Sequence, residues 1–315
     1  FASTFVKNQH YPLLDSNTTG DFSIGSSFEK DALQNWMPQL TKALFKNNDP
    51  TTNPLNSAEL FLNKCYKRIQ NSNGLDITYS HYNGNLEFIA NWAGEEEVET
   101  YKNIDFADFR PRLIEDEVKA LIEITKEKTR AVATPSLENT NVLLTGGPVK
   151  EFFTYYLLGS GAKSVYEHIS EFKIGDPMQG DAIEGDKVTI TIDPTLENST
   201  QSKPFDSHGF PLKKIKIIED GKLLSYWGDN RYAHYLGVEP TGAMSNYIVN
   251  PGTQSINELK TEPYIELLEF SDFQMNPMTG DFAGEIRLGR YFDGQKIIPV
   301  TTGSLSGNIR EVQEN

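Results

Sequence analysis

Short strand-like segments separated by tight-turn signals dominate the second half of the chain. Apolar and polar residues alternate there with the period of a β-strand, and Asp220-Gly221 joins two such segments in the manner of a two-residue hairpin. Helical spacing replaces this pattern after residue 144 up to about residue 170, and again at residues 230–236. The predicted strands cover residues 141–144, 187–193, 212–219, 222–227, 264–270, 284–292 and 296–302.

The first third of the chain predicts several helices. Ser26 or Ser27 can cap a helix that ends near residue 46, because a serine side chain accepts a hydrogen bond from the first helical turn. A second helix is predicted to begin at Ser57, and a charged amphipathic helix is predicted over residues 113–130. The second helix would turn four side chains inward: Leu60, Phe61, Cys65 and Ile69.

A hairpin sheet is predicted between the second and third helices. Residues 76–82 and 86–92 have strand-like composition and lie on either side of Asn83-Gly84-Asn85, which is a strong hairpin signal. Residues 97–104 predict a third strand.

The predicted fold class is α+β, in two domains. Residues 131–140 have the composition of a linker. The domain boundary is predicted within it, near residue 135. Residues 1–135 predict an N-terminal α/β domain with helices and a hairpin sheet. After it, residues 136–315 predict a larger, β-dominated C-terminal domain.

The charge balance bears on the classes of partner. A net charge of −15 opposes binding to a phosphate backbone, which requires clustered lysine and arginine. No apolar run approaches the roughly 18–20 residues that span a bilayer, and no secretory signal is visible. We therefore expect a cytoplasmic protein without nucleic-acid or membrane partners. The chain begins at Phe1 rather than at methionine, which favours a trimmed N-terminus and keeps an exported form as an alternative.

The spacing of histidine and cysteine predicts no metal site. None of the five histidines pairs with another at helical spacing. His168 follows Glu167 on a helical stretch, and His208 lies in a turn-rich loop, where functional groups often sit. Without partners, both are more typical of structural or surface residues than of zinc ligands. Cys65 is the only cysteine, which excludes an intramolecular disulfide and a multi-cysteine cluster.

An ordered set of motifs runs through residues 141–310. The most specific is Asn276-Pro277-Met278-Thr279-Gly280-Asp281-Phe282. Together the motifs resemble those of the TldD/PmbA family, whose members are called modulators of DNA gyrase and are classed as metallopeptidases. Phe1-Ala2-Ser3-Thr4 and the predicted helix-hairpin-helix order make the N-terminal third similar to that family as well. The other motifs are Glu219-Asp220-Gly221-Lys222-Leu223-Leu224, Arg231-Tyr232-Ala233, Leu236-Gly237-Val238, Pro240-Thr241-Gly242, Asp293-Gly294-Gln295-Lys296-Ile297-Ile298-Pro299-Val300 and Leu305-Ser306-Gly307-Asn308.

The resemblance implies a zinc-binding helix whose ligands this chain lacks. The family's His-Glu-x-x-x-His motif corresponds to Lys150-Glu151-Phe152-Phe153-Thr154-Tyr155. Glu151 matches the catalytic glutamate, whereas Lys150 and Tyr155 occupy the two histidine positions. An ammonium group and a phenol do not replace two neutral imidazoles as zinc ligands. Without a zinc-activated water, Glu151 is either a remnant or the ion-pair partner of Lys150 or another cation.

The departures make the chain resemble the PmbA, or TldE, type of subunit. In the metal-binding TldD type, a cysteine near the C-terminal end completes the site. Here Cys65 lies far upstream, and the chain ends at Asn315, before the family's usual last segment, so we expect it to be trimmed at both ends. The resemblance therefore implies no cofactor here, with zinc expected only in a TldD-type partner.

The implied function is that of a non-catalytic subunit in a metallopeptidase complex that degrades or processes unfolded or modified peptides. The expected partners are a TldD-type subunit or a second copy of the chain, together with extended peptides that bind by strand addition. One alternative is an active metallopeptidase with unrecognised ligands, which come from residues such as His168 or His208 or from missing segments. A second alternative is a stand-alone peptide-binding homodimer. The candidate cleft residues are His208, Asp206, Thr241, Gly242, Asn276, Thr279 and Asp281.

Overall fold

The computed structural model describes residues 10–14, 18–49, 51–94, 97–138, 140–180 and 182–313. Helices and strands are mixed along the chain and the strands form several sheets, which confirms the predicted α+β class. The Phe1-Ala2-Ser3-Thr4 motif lies outside the described residues. Within them, no helix is both long and apolar enough to cross a membrane.

The N-terminal unit is a four-stranded sheet covered by two helices. Its central strand, β3, pairs with β2 along one edge and with both β1 and β4 along the other; only the pairing with β1 is parallel. The elements are β1 (Thr19–Ser23), a 3₁₀ helix (Ser27–Lys30), α1 (Leu33–Phe45), β2 (Leu55–Gln70), β3 (Asp76–Ala93), β4 (Glu97–Phe106) and α2 (Pro111–Lys128).

Two predictions for this unit are wrong. The helix predicted from Ser57 is strand β2, because Leu60 and Leu62 pack on the core with the period of a strand while Phe61 points away and is 49% exposed. The hairpin predicted at Asn83-Gly84-Asn85 is absent, since β3 continues straight through these residues.

The cause of the second error is packing. A Cβ on Gly84 would overlap the aromatic ring of Phe106 on the neighbouring strand. The glycine therefore makes room for a core side chain and does not form a turn.

Strand β3 is buried on both of its faces, but at different ends. Near its start, Ile77 and Tyr79 pack with Leu75 and with Phe205, which belongs to the C-terminal half. Further along, the alternate face packs against α1 and α2 through Tyr82, Leu86, Phe88 and Ala90. One strand thus belongs to two apolar cores.

The C-terminal unit contains a six-stranded and a four-stranded sheet. The larger has the order β5-β13-β12-β11-β6 with β14 also paired to β12, and the smaller has the order β10-β7-β8-β9. The strands are β5 (Val132–Ala133), β6 (Asn141–Leu144), β7 (Ile190–Ile192), β8 (Ile215–Glu219), β9 (Lys222–Leu223), β10 (Tyr247–Val249), β11 (Tyr264–Met275), β12 (Asp281–Phe292), β13 (Ile297–Thr301) and β14 (Ser304–Asn308). The helices are α3 (Gly147–Gly159), α4 (Ala162–Tyr166), α5 (Asn230–Leu236), α6 (Ile256–Leu259) and α7 (Ile309–Gln313).

Most predictions for this unit are confirmed. Helix α5 has the predicted bounds, and Asp220-Gly221 is the hairpin turn between β8 and β9, with both residues at positive φ. The segment predicted as a linker is in part a strand, because β5 pairs with β13. The division into domains near residue 135 stays a prediction.

The two units are joined by an arginine between two glutamates. Arg290 of β12 donates two hydrogen bonds to the Glu127 carboxylate of α2, at 2.9 and 3.1 Å. The guanidinium also lies 3.6 Å from the Glu266 carboxylate of β11. This bidentate geometry fixes the end of α2 on the larger sheet.

We expect Gly84→Ala to destabilise the protein by about 1–3 kcal/mol, the usual cost of overpacking a core. The added methyl group would have to displace the Phe106 ring. Urea denaturation of this variant should be compared with that of Gly25→Ala, because a Cβ on Gly25 meets no atom within 4 Å. If Gly84 were in an exposed turn, the two variants would have equal free energies of unfolding.

Candidate functional site

Helix α3 carries Lys150 and Tyr155, which are predicted to stand at the two ligand positions of the zinc motif, and directs them into different cavities. Five residues correspond to about 140° around a regular helix, so Lys150 and Tyr155 point to different sides. Lys150 lines an open cleft of about 690 Å³. Tyr155 lines a separate cavity of about 630 Å³.

Tyr155 is buried, and its hydroxyl group is bound by an arginine. The side chain is only 2% exposed and packs edge-on against Tyr156 and Phe172. Its hydroxyl oxygen accepts a hydrogen bond of 3.2 Å from Nε of Arg310 in α7. The second ligand position of the family motif therefore faces a guanidinium group, which is a permanent cation.

The neighbouring Tyr156 is held by the same short helix. Its hydroxyl oxygen accepts a hydrogen bond from the Gln313 side-chain amide. Burial raises the pKa of Tyr156, and Tyr155 raises it further. This phenol therefore stays neutral, and α7 fastens both tyrosines of α3.

The residues at this site do not fit zinc. Lys150 offers only donors, and the Tyr155 oxygen is used by Arg310. No group of three or more histidine, cysteine, aspartate or glutamate side chains that could hold a metal occurs among the described residues.

Glu151 is exposed on α3, beside Tyr247. In the part of the chain that the structure describes, it forms no ion pair with Lys150 or with another cation. The carboxylate acts on its surroundings through Tyr247: burial raises the pKa of that phenol, and the Glu151 charge raises it further.

The motif that begins at Asn276 forms the turn between β11 and β12, and its polar groups bond one another. The Asn276 side chain accepts hydrogen bonds from the backbone N–H groups of Met278 and Thr279, at 3.0 and 3.3 Å. Thr279 donates to the Asp281 carboxylate at 2.6 Å, and the Asn308 amide donates to it at 2.8 Å. These two bonds lower the pKa of Asp281, which is fully exposed.

The same turn lines the cavity next to Tyr155. Met278 and Thr279 form one wall, and Arg310 and His168 lie on the others. Thr279 and Tyr155 are thus brought to one cavity. His168 is exposed at positive φ, and no metal-binding group forms around it among the described residues.

Asp206 is used to shape its own loop. It is only 1% exposed, and its carboxylate accepts backbone hydrogen bonds from His208, Phe210 and Ala243, at 2.9, 3.0 and 3.2 Å. The His208 side chain is exposed. Neither residue is joined to the Asp281 turn by a hydrogen bond in the described residues.

Thr241 and Gly242 directly precede Ala243, whose backbone N–H donates to Asp206. The Thr241 hydroxyl accepts a hydrogen bond of 3.0 Å from the Gly228 backbone. Gly242 has φ +77°, and a Cβ there would overlap Leu212. Both residues have an evident role in packing, and their part in a cleft stays a prediction.

The cleft beside Lys150 was not predicted from the sequence. Val149 and Phe153 of α3 form one side, and residues 196 and 198–201 form the other. Tyr247 also lines the cleft, and its hydroxyl donates to the Lys150 carbonyl oxygen at 3.2 Å. The lining comes from several distant segments, so no local pattern identifies it.

Residues 138–315 match the family model described as the PmbA/TldA metallopeptidase C-terminal domain. The chain belongs to the PmbA/TldD family. Over 260 residues it is 26% identical to an uncharacterized protein of Methanocaldococcus jannaschii, a match that covers 78% of this chain. The chain spans 60% of the length of that relative.

Solved structures of the PmbA/TldD family have the same fold. A protein of Thermotoga maritima described as a modulator of a DNA gyrase superposes with a TM-score of 0.74 at 21% identity, covering 91% of this chain and 69% of that one. TldE of Thermococcus kodakarensis superposes with a TM-score of 0.73 at 16% identity, covering 98% and 71%. At these identities the likeness shows the fold alone.

We expect Thr279→Val to raise the pKa of Asp281 towards its ordinary value of 3.8, because it removes the largest cause of the lowering. The stability that ionised Asp281 contributes is present above the unfolded-state pKa and is lost as the pH falls through the folded-state pKa. The variant should therefore lose this contribution at a higher pH. A pH titration of the carboxyl carbon by NMR measures the shift.

Thr261→Val is the matched control for this titration, because the Thr261 hydroxyl donates to the backbone carbonyl of Glu258 and not to a carboxylate. An unchanged Asp281 titration in Thr279→Val would contradict the role given to the Thr279 hydroxyl.

Proposed function

We propose that this PmbA/TldD-family chain is the non-catalytic subunit of a metallopeptidase complex that processes unfolded or modified peptides. The observation that carries the proposal is the contact between Tyr155 and Arg310, at 3.2 Å. A cation is bonded to the residue that stands where the family motif has its second histidine. The chain also shares the fold of TldE of Thermococcus kodakarensis.

The chemistry of peptide hydrolysis explains why such a subunit would need a partner. Zinc lowers the pKa of its bound water to about 7 and polarises the scissile carbonyl group. Glu151 alone supplies neither effect, because a carboxylate can accept a proton but cannot stabilise the developing oxyanion. Catalysis then requires a TldD-type subunit with a complete zinc site. We further propose that the complex is cytoplasmic.

The sheet edge next to α3 supports peptide binding. Strand β6 is the last strand of its sheet within the described part of the chain. Beside it lies an apolar cavity of about 710 Å³, whose walls include Val142, Phe152 and Phe282. An extended peptide can pair with such an edge and place alternate apolar side chains in the cavity.

We expect the purified chain to contain almost no zinc and to hydrolyse no peptide. Elemental analysis and a peptidase assay on the same sample measure both.

In a complex with a family member that has an intact His-Glu-x-x-x-His motif, Glu151→Gln should leave peptidase activity nearly unchanged. Removing a true general base would lower it by about 10²–10⁴-fold.

The matched control is the same Glu→Gln change in the zinc-binding motif of that family member, which should abolish activity. About one zinc per chain with hydrolysis by this chain alone would overturn the proposal in favour of an active metallopeptidase with other ligands. Self-association with peptide binding, and no capture of a zinc-bearing subunit, would favour the stand-alone homodimer.

A further inference from the structure

A small cavity that adjoins the α3 cleft has apolar walls and one cationic group. It has a volume of about 310 Å³ and is lined by Leu157, Ile192, Trp227 and Met244 among others. The cation is Lys203. The orientation of Trp227 is fixed, because its indole N–H donates to the Leu157 carbonyl oxygen at 2.8 Å.

Lys203 is half-buried without a bonded partner. Among the described residues, its ammonium group makes no hydrogen bond and no ion pair. The nearby Asp206 attracts it, and Lys67 of β2 repels it. Asp206 does not pair with it at contact distance in the described residues, and its carboxylate instead accepts hydrogen bonds from three backbone N–H groups.

Such a group is unfavourable in the unliganded protein. Burial lowers the pKa of Lys203, which reflects the cost of removing its charge from water. A half-buried cation is normally matched by an anion. An anionic ligand in the cavity would offset this cost, and functional sites commonly keep groups that reduce the stability of the free protein.

The small cavity adjoins the cleft next to Lys150. Both are lined by Ser245, Asn246 and Tyr247. The cleft has a volume of about 690 Å³, and both volumes lie in the usual range of ligand pockets. A chain that lies along α3 would therefore reach Lys203 at its end.

We propose that the Lys203 cavity binds the C-terminal carboxylate of a peptide whose last side chain is apolar or aromatic. A C-terminal residue is the part of a peptide in which a carboxylate lies directly beside an apolar side chain. The carboxylate would pair with the Lys203 ammonium group, and the side chain would pack on Trp227 and Met244. This assignment rests on the peptide binding included in the proposed function.

The test compares acetyl-Gly-Val-Gly-Phe, which has a free carboxylate, with the same peptide as its C-terminal amide. Isothermal titration calorimetry on the full chain should show at least tenfold tighter binding of the free acid, since hydrogen bonds to charged groups are stronger than those between neutral groups. Lys203→Met should remove this preference. Lys213→Met is the matched control, because Lys213 is exposed and lies outside the cavity.

The melting temperature distinguishes a binding role from a structural role. Lys203→Met removes an unpaired, half-buried charge and should raise the melting temperature or leave it unchanged, whereas Lys213→Met should have no effect. A fall in the melting temperature of Lys203→Met would mean that the lysine holds the fold, and would overturn the assignment.

The remaining outcomes separate this assignment from the proposed function. Equal binding of acid and amide, unaffected by Lys203→Met, would overturn the carboxylate site and leave peptide binding intact. Binding of neither peptide would overturn both. Equally tight binding of acetyl-phenylalanine alone would show that the cavity takes a small carboxylic acid, and would also overturn the assignment to a peptide end.

Discussion

The two-sided burial of β3 determines how the halves of the molecule meet. Its first residues pack against Phe205 of the C-terminal half, and its later residues pack against α1 and α2. Phe205 immediately precedes Asp206, whose carboxylate shapes the following loop through three backbone hydrogen bonds. Lys203 lies two residues before Phe205. Its position therefore depends on the contact between Phe205 and β3.

The side of the cleft formed by residues 196 and 198–201 is attached to the N-terminal half by hydrogen bonds. The Asn198 side chain accepts hydrogen bonds from the backbone N–H groups of Ala107 and Asp108, at 3.0 and 2.9 Å. These residues follow β4 directly. The segment opposite α3 is thus anchored on the N-terminal unit, and the cleft depends on both halves of the chain. Across the cleft, α3 is anchored through its tyrosines by α7, so both walls are held from outside.

The N-terminal and C-terminal halves of the chain differ, for a physical reason, in how far their turns could be predicted from the sequence. At Asp220-Gly221 both residues adopt positive φ, and the turn is decided locally. At Asn83-Gly84-Asn85 the same kind of signal arises because Phe106, more than twenty residues later, needs the space of a missing side chain. The replacement of the zinc ligands by Lys150 and Tyr155 stays a prediction, which could be made because the motif is contiguous. The partner of Tyr155 and the Lys203 cavity could not be predicted, because Arg310, Trp227 and Met244 are joined only by the fold.

The alternation along β3 also limits changes in chain length. Ile77 and Tyr79 have odd numbers, whereas Tyr82, Leu86, Phe88 and Ala90 have even numbers, and the register with β2 is continuous between them. Inserting or deleting one residue near Ser80 would reverse the facing of one half relative to the other. Either the Phe205 contact or the helix-facing core would then receive polar side chains. A family member that kept both cores could change length at this point only by an even number of residues, or by a bulge that absorbs the odd one.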